Sequence, residues 1–180
     1  MKPKISIGVC ILIALALVFF GLIYGTVNGF SDDRAQVNAL LNGEGGLKNV
    51  LGYRAADGLN LCVVARRHLM GDADVAVLEA SAQKLRDAGT SLSAKKQEDA
   101  RLSAAAARVA GKLRETPGFL QSERDMAYLE MLMTDMEQLS KSAVVGIYNE
   151  AAKDFNRQLD APVSGELAKA LGVKPCELYE

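Results

Sequence analysis

The amino-acid sequence predicts an all-α protein, in which an N-terminal transmembrane helix is followed by an antiparallel bundle of about four helices. An uncharged apolar run occupies residues 5–23, and apolar residues then recur every three or four positions through most of residues 59–180. Only 6% of the residues are aromatic, and there is no tryptophan. A core made of Ala, Leu, Val and Met is typical of helical bundles rather than of β-sandwiches.

The apolar run at residues 5–23 has the length of a membrane span. About 20 apolar residues, at a rise of roughly 1.5 Å each, cross a hydrocarbon core of about 30 Å. Tyr24 follows the run, where aromatic side chains lie at the membrane interface. A cleaved signal peptide is the alternative, but its apolar region covers only about 7–15 residues and ends in small residues. We therefore expect residues 1–30 to be an uncleaved anchor that contacts the lipid bilayer through residues 5–23.

The charges on either side of this run predict its orientation. Lys2 and Lys4 precede it, whereas Asp32 and Asp33 follow it, with Arg34 as the one basic residue close by. Because positively charged flanks stay in the cytoplasm, we expect a single-pass protein of the cell membrane with a cytoplasmic N-terminus. The rest of the chain would then be extracytoplasmic.

Residues 31–58 connect the anchor to the predicted bundle of residues 59–180. We interpret them as a juxtamembrane helix that continues from the anchor and is interrupted near Gly43–Gly46, because glycine disfavours a helix interior. A flexible linker explains the same residues equally well. Both interpretations stay open at this point.

Helix starts and stops are readable in the bundle region. Asp72 has the position of an N-cap, Ser93 precedes an alanine-rich helix, and Thr116–Gly118 ends it. Ser122 with Asp125 resembles a capping box, and it opens a last helix that we expect to run uninterrupted for about thirty residues. The predicted stripe of that helix comprises Leu129, Leu132, Met136, Leu139, Ala143, Ile147, Ala151, Phe155 and Leu159.

Charge argues against nucleic-acid binding, and no enzymatic constellation is visible. The net charge is −1 and the two signs are interleaved, so no basic stripe is offered to a phosphate backbone. His68 is interpreted as a surface residue, because neither a second histidine nor a carboxylate cluster accompanies it. Cys62 has no base nearby in sequence. We predict no catalytic residue, no cofactor and no metal; a hydrolase using Cys62 or His68 would need two or more acidic groups around His68.

The cysteines and methionines are interpreted as packing residues. Cys10, Cys62 and Cys176 form no CxxC motif, and lone helical cysteines pack as small hydrophobes. A methionine cluster could instead line a binding groove between helices. It comprises Met126, Met131, Met133 and Met136.

Several segments resemble the LemA family. They are Glu115–Leu120, Tyr128–Glu130, Tyr148–Asn156 and Leu171–Glu180, with weaker similarity at Arg54–Leu61. The family shows a helix with two aromatic-Asn pairs and a chain end of aromatic-Glu. This chain departs from the pattern at Gly43–Gly46 and in having no tryptophan, so the resemblance is that of a divergent member.

The resemblance implies a membrane-anchored helical bundle of bacteria with no established biochemical activity. It carries over no catalytic residue. Its motif falls on Tyr148, Asn149, Phe155 and Asn156, whose aromatic rings we expect to pack while the amides bond a neighbouring segment. The resulting hypothesis is a non-enzymatic scaffold or interaction module with protein partners or self-association. A sensory or ligand-binding domain with an interhelical groove is the alternative.

Overall fold

All regular structure in residues 6–180, the part of the chain that the computed structural model describes, is helical, and no strand occurs there. The predicted all-α class is therefore confirmed. The helices are α1 (Ile7–Asn42), α2 (Leu47–His68), α3 (Ala73–Arg86), α4 (Leu92–Arg114), α5 (Pro117–Leu120), α6 (Glu123–Ser140), α7 (Val144–Leu159) and α8 (Ser164–Ala170).

The first helix is long and apolar. It contains 36 residues. An 18-residue window near its start has a mean hydropathy of 2.8, and none of that window is buried. Within the described residues it is the one helix whose length and composition would allow it to cross a membrane. Lys2 and Lys4, on which the predicted orientation depends, lie outside the described residues.

The glycine-rich segment is the turn between the first two helices. α1 ends at Asn42 and α2 begins at Leu47. Gly45 has a φ of +71°, a left-handed conformation that residues with a Cβ rarely adopt. The Asn49 side-chain amide donates to the Gly43 carbonyl at 3.2 Å and closes the turn. The division into an anchor of residues 1–30, a connecting segment of residues 31–58 and a bundle of residues 59–180 stays a prediction.

The chain divides into two compact units. The first unit takes the described residues up to Asn38 together with Ala151–Cys176, and the second takes Ala39–Glu150 with Glu177–Glu180. In the first unit, the Phe30 ring meets the Phe155 ring edge-on, with centroids 5.9 Å apart.

In the second unit, α2 contacts α3, α4 and α6, and α3 also contacts α4. α2 and α4 approach closely at Gly58, where an added Cβ would lie 2.7 Å from Leu102 Cδ1. The fully buried leucines of this unit are Leu47, Leu51, Leu61, Leu78, Leu85, Leu102, Leu113, Leu129 and Leu132. They are four and ten residues apart along α2, seven along α3, eleven along α4 and three along α6. Each of these spacings is a sum of steps of three and four residues, which is the period that the sequence showed.

Two of the predicted caps are present, and one is shifted. Asp72 accepts a hydrogen bond from the Asp74 amide at 2.8 Å, and Ser122 accepts one from the Asp125 amide at 3.3 Å. The helix assigned to Ser93 is instead capped by Ser91, whose hydroxyl accepts from the Ala94 amide at 3.3 Å. Ser91 has extended backbone angles, which an N-cap requires, whereas Ser93 lies inside the helix.

The prediction of one uninterrupted last helix is wrong. α6 ends at Ser140 and α7 begins at Val144. The Ser140 hydroxyl donates to the Glu137 carbonyl at 2.6 Å, and the Ser142 hydroxyl accepts from the Val144 amide at 3.4 Å. Serine hydroxyls that bond the backbone locally compete with the helical ladder, and here they accompany its interruption.

This interruption changes which side of α7 is buried. Ile147, predicted to lie in the core, is 51% exposed, whereas its neighbour Tyr148 is 1% exposed. Ala143 and Ala151 likewise lie outside the core. The buried positions of α7 are Tyr148, Ala152, Phe155 and Leu159. They follow a four-three-four spacing, one residue out of phase with the prediction in the first part of the helix.

Candidate functional site

The first aromatic-asparagine pair of α7 holds the segment of residues 173–180, which forms neither helix nor strand. The Asn149 amide donates from Nδ2 to the Tyr179 carbonyl at 2.9 Å, and Asn149 Oδ1 accepts from the Tyr179 amide at 2.9 Å. The Tyr148 hydroxyl donates to the Glu177 carbonyl at 2.6 Å. Asn149 thus satisfies both backbone groups of Tyr179, as a neighbouring β-strand would.

The second pair repeats this arrangement within the other unit. The Asn156 amide donates to the Cys176 carbonyl at 2.9 Å and accepts from the Cys176 amide at 2.7 Å. The Arg34 guanidinium lies 5.6 Å from the centre of the Phe155 ring, and it donates to the Lys174 carbonyl. The two asparagines therefore each pair with the backbone of one residue, three positions apart in the segment.

Tyr179 belongs to a buried polar network of the second unit. Its hydroxyl donates to Asp99 Oδ2 at 3.1 Å, and Asp99 Oδ1 accepts from Arg54 Nε at 2.6 Å. Arg54 is 2% exposed, and it also donates to the Ser103 hydroxyl at 2.7 Å and to the Met136 carbonyl. Burial, and then the neighbouring Asp99 carboxylate, raise the pKa of the Tyr179 phenol. The tyrosine therefore stays neutral and acts as a donor.

Sequence reasoning missed this network, although one signal for it exists. Arg54 lies among Val50, Leu51, Gly58 and Leu61, all of which share the buried side of α2. A charged residue inside an apolar stripe requires a buried partner. Nothing in the spacing identifies that partner, because Asp99 is 45 residues away in sequence.

A groove of about 400 Å³ opens beside Arg54. Met133 and Met136 line it, together with Ser103, Thr134 and Ala106. The rest of the predicted methionine cluster is elsewhere: Met131 is 46% exposed, and Met126 does not line the groove. The groove is therefore built on the second half of α6, with a buried guanidinium at one wall.

The interpretation of His68 as a surface residue is wrong. Its Nε2 lies 2.8 Å from Asp125 Oδ2, and its side chain is only 14% exposed. The ring also packs edge-on against Phe119, at 5.4 Å between centroids. Asp125 also accepts from Arg67 at 2.9 Å. The Ser122 amide, which would donate to Asp125 in a full capping box, donates instead to the Phe119 carbonyl at 2.9 Å. Asp125 lies 57 residues further along the chain than His68, so local spacing could not reveal this contact.

His68 and Cys62 are the two residues that the hydrolase hypothesis would use. Among the described residues, Asp125 is the one carboxylate that contacts His68. Cys62 is buried, its thiol donates to the Val75 carbonyl at 3.7 Å, and burial raises its pKa to about 11. All three cysteines are unpaired. Within residues 6–180, no group of three or more His, Cys, Asp or Glu side chains could hold a metal ion.

Comparison of the chain with protein-family models, with curated proteins and with solved structures finds no match. The two asparagines bind backbone groups of Tyr179 and Cys176. The Arg54 network fixes charges inside the second unit, and the groove beside it has room for a small molecule.

Proposed function

We propose that this chain is a non-enzymatic, membrane-anchored helical protein, a divergent protein of the LemA type, which serves as a scaffold or interaction module at a bacterial membrane surface. One observation carries the proposal: the apolar window of α1 has none of its residues buried. Leu12, Leu15 and Phe20 are between 66% and 70% exposed. Apolar surface of this extent is costly in water, and a bilayer removes the cost.

The packing of the second unit supports the finer architecture that we propose, an antiparallel bundle of α2, α3, α4 and α6. Only four residues separate α2 from α3, and five separate α3 from α4. Connections this short favour antiparallel neighbours. The resemblance to the LemA family is supported by chemistry on its own motif residues, because Asn149 and Asn156 both bind the segment that carries the family-like chain end.

The anchor is tested by extraction and by substitution. We expect the full chain to stay in the membrane pellet after alkaline carbonate treatment, and Leu15→Arg to impair insertion by about 2.5–3.5 kcal/mol on the translocon scale. Leu15→Phe, which keeps the segment apolar, is the matched control. Release of the parent protein by carbonate would refute the anchor.

Orientation and partners need separate experiments. We propose that the N-terminus is cytoplasmic, so protease added to intact spheroplasts should digest the helical domain, and protection until lysis would show the reverse. The scaffold role is tested by crosslinking in intact membranes, followed by identification of the proteins that co-purify reproducibly. A chain that crosslinks neither to itself nor to other proteins would contradict that role.

A ligand-binding role is the second candidate, and the groove beside Arg54 favours it. Its volume of about 400 Å³ is within the range of small-molecule sites. Native mass spectrometry of the purified full chain should then detect a bound small molecule, which Thr134→Trp displaces by filling the groove. A protein that carries no adduct before and after the substitution would count against this role.

A further inference from the structure

A second, smaller cavity of the same unit is lined by positive charge. It has a volume of about 210 Å³ and is formed by the first turns of α2, the end of α3 and the start of α4. Its charged lining consists of Lys48, Arg86 and Lys95, and no carboxylate lines it. The apolar part of the lining is Leu51, Leu85 and Ala88. We call it the cationic pocket.

Lys95 is the buried member of the cationic pocket. It is 5% exposed, and its ammonium donates to the Leu85 carbonyl and, at 2.6 Å, to the Asp87 carbonyl. These bonds hold the ammonium at the C-terminal end of α3. They use two of the three donors of a lysine, which leaves one donor for another acceptor. Burial lowers the pKa of Lys95, the charge of Asp87 raises it, and the charge of Lys48 lowers it further.

The other two cations are available to a ligand. Lys48 and Arg86 are exposed, and within residues 6–180 neither forms an ion pair. The Asp87 carboxylate accepts from the Gly89 amide at 3.2 Å and from the Thr90 hydroxyl at 2.9 Å, and its charge offsets part of that of Lys95. Most other basic side chains of this unit have a carboxylate partner, for example Arg66 with Glu79. Three cations around one concave surface, with one carboxylate close to Lys95 and none in the lining, leave a net positive charge that attracts anions.

We propose that the cationic pocket binds a small oxyanion, a phosphate or phosphate monoester, between Lys48, Arg86 and Lys95. Arginine offers a planar fork of donors that matches a phosphate, and lysine offers point charges. The pocket volume is several times the roughly 30 Å³ that a water molecule takes up, so a phosphate fits with bridging waters. The role is independent of the scaffold function proposed above, since it concerns a different surface.

Calorimetric titration of the full chain in non-ionic detergent micelles with inorganic phosphate, at constant ionic strength, tests the proposal. We expect saturable binding, and we expect Lys48→Gln and Arg86→Gln each to raise the Kd by about tenfold or more, as loss of a charged hydrogen bond does. Both side chains are exposed, so the variants should fold, which circular dichroism checks. Arg124→Gln, which removes an exposed arginine elsewhere, is the control and should bind as the parent does.

Two results would overturn the proposal: no saturable heat with phosphate, or equal affinity in the parent and both variants. The source of the phosphate is decided in nanodiscs. If a lipid headgroup enters the pocket, replacing part of the phosphatidylcholine with phosphatidylglycerol should raise the apparent Kd for inorganic phosphate. If the ligand is a free phosphate ester, the Kd should be the same in both lipids, and glycerol 3-phosphate should compete.

Discussion

Replacing Asn149 with alanine removes both hydrogen bonds that connect the Tyr179 backbone to α7. Each bond of this kind contributes about 0.5–1.5 kcal/mol net, so the substitution should weaken the local structure by about 1–3 kcal/mol. The loss concerns residues Glu177–Glu180 first, because these residues form neither helix nor strand. Opening of the segment becomes more frequent while the helices persist.

Hydrogen exchange at the Tyr179 amide measures this opening directly, because that amide donates to Asn149 Oδ1. A loss of about 1–3 kcal/mol corresponds to exchange that is roughly 5 to 150 times faster. The assay is amide exchange of the full chain in detergent micelles, followed by mass spectrometry of the peptide that contains residues 177–180.

Two comparisons make the result decisive. Gln158→Ala truncates an exposed amide on the same helix and should leave the exchange rate of Tyr179 unchanged. Asn156→Ala should instead expose the Cys176 amide, which donates to Asn156 Oδ1 at 2.7 Å. If Tyr179 stays protected in Asn149→Ala, the asparagine does not hold the segment, and the reasoning from its paired hydrogen bonds fails.

Three further outcomes are expected. Leu132→Ala should cost about 2–5 kcal/mol in thermal melts because the side chain is fully buried, whereas Met131→Ala, on an exposed neighbour, should cost less than about 0.5 kcal/mol. The hydrogen bond from His68, and then the charge of Arg67, lower the pKa of Asp125. Its stabilising effect is therefore present above about pH 4 and is lost as pH falls through the folded-state pKa. Between about pH 5 and 3, the melting temperature of Asp125→Asn should consequently depend less on pH than that of the parent. With a pKa near 11, Cys62 should resist iodoacetamide at pH 8 until the protein is unfolded by guanidinium. Equal melting temperatures for Leu132→Ala and Met131→Ala would contradict the first expectation. An unchanged pH dependence in Asp125→Asn would contradict the second, and rapid alkylation of Cys62 in the native protein would contradict the third.

The helices that could be predicted from sequence are those whose signals are local. α3 is an example: Asp72 caps it, and Val75, Leu78, Ala82 and Leu85 form its buried side, as the spacing indicated. Cap and stripe both lie within one continuous segment, so a period of 3.6 residues and one side-chain oxygen are sufficient to define it.

The end of α6 shows where local reasoning fails. The apolar spacing continues through Ser140 and Ser142, so the period alone gave no reason to end the helix there. The hydroxyls of both serines bond nearby backbone groups. A small change in helical phase then moves Ile147 out of the core and Tyr148 into it. Periodicity over a long run cannot detect a shift of one residue.

The candidate site was predictable only in part, because most of its partners are distant in sequence. The aromatic-asparagine pairs of α7 could be identified as a motif, yet nothing in the sequence gave their targets at Cys176 and Tyr179. The pairing of Arg54 with Asp99 and that of His68 with Asp125 likewise join separate helices. Ion pairs of this kind depend on the packing of the helices, which a single sequence does not reveal.

The link from Tyr179 to Asp99 also has a consequence in time. The two residues are 80 positions apart in the chain. At about 5–20 residues per second, roughly 4–16 s of synthesis separate them. During that interval Arg54 and Asp99 can already meet, but the tyrosine hydroxyl that donates to Asp99 Oδ2 in the folded protein has not yet been made. We therefore expect the polar interior of the second unit to stay hydrated during synthesis and to close only after the helices around it have been made.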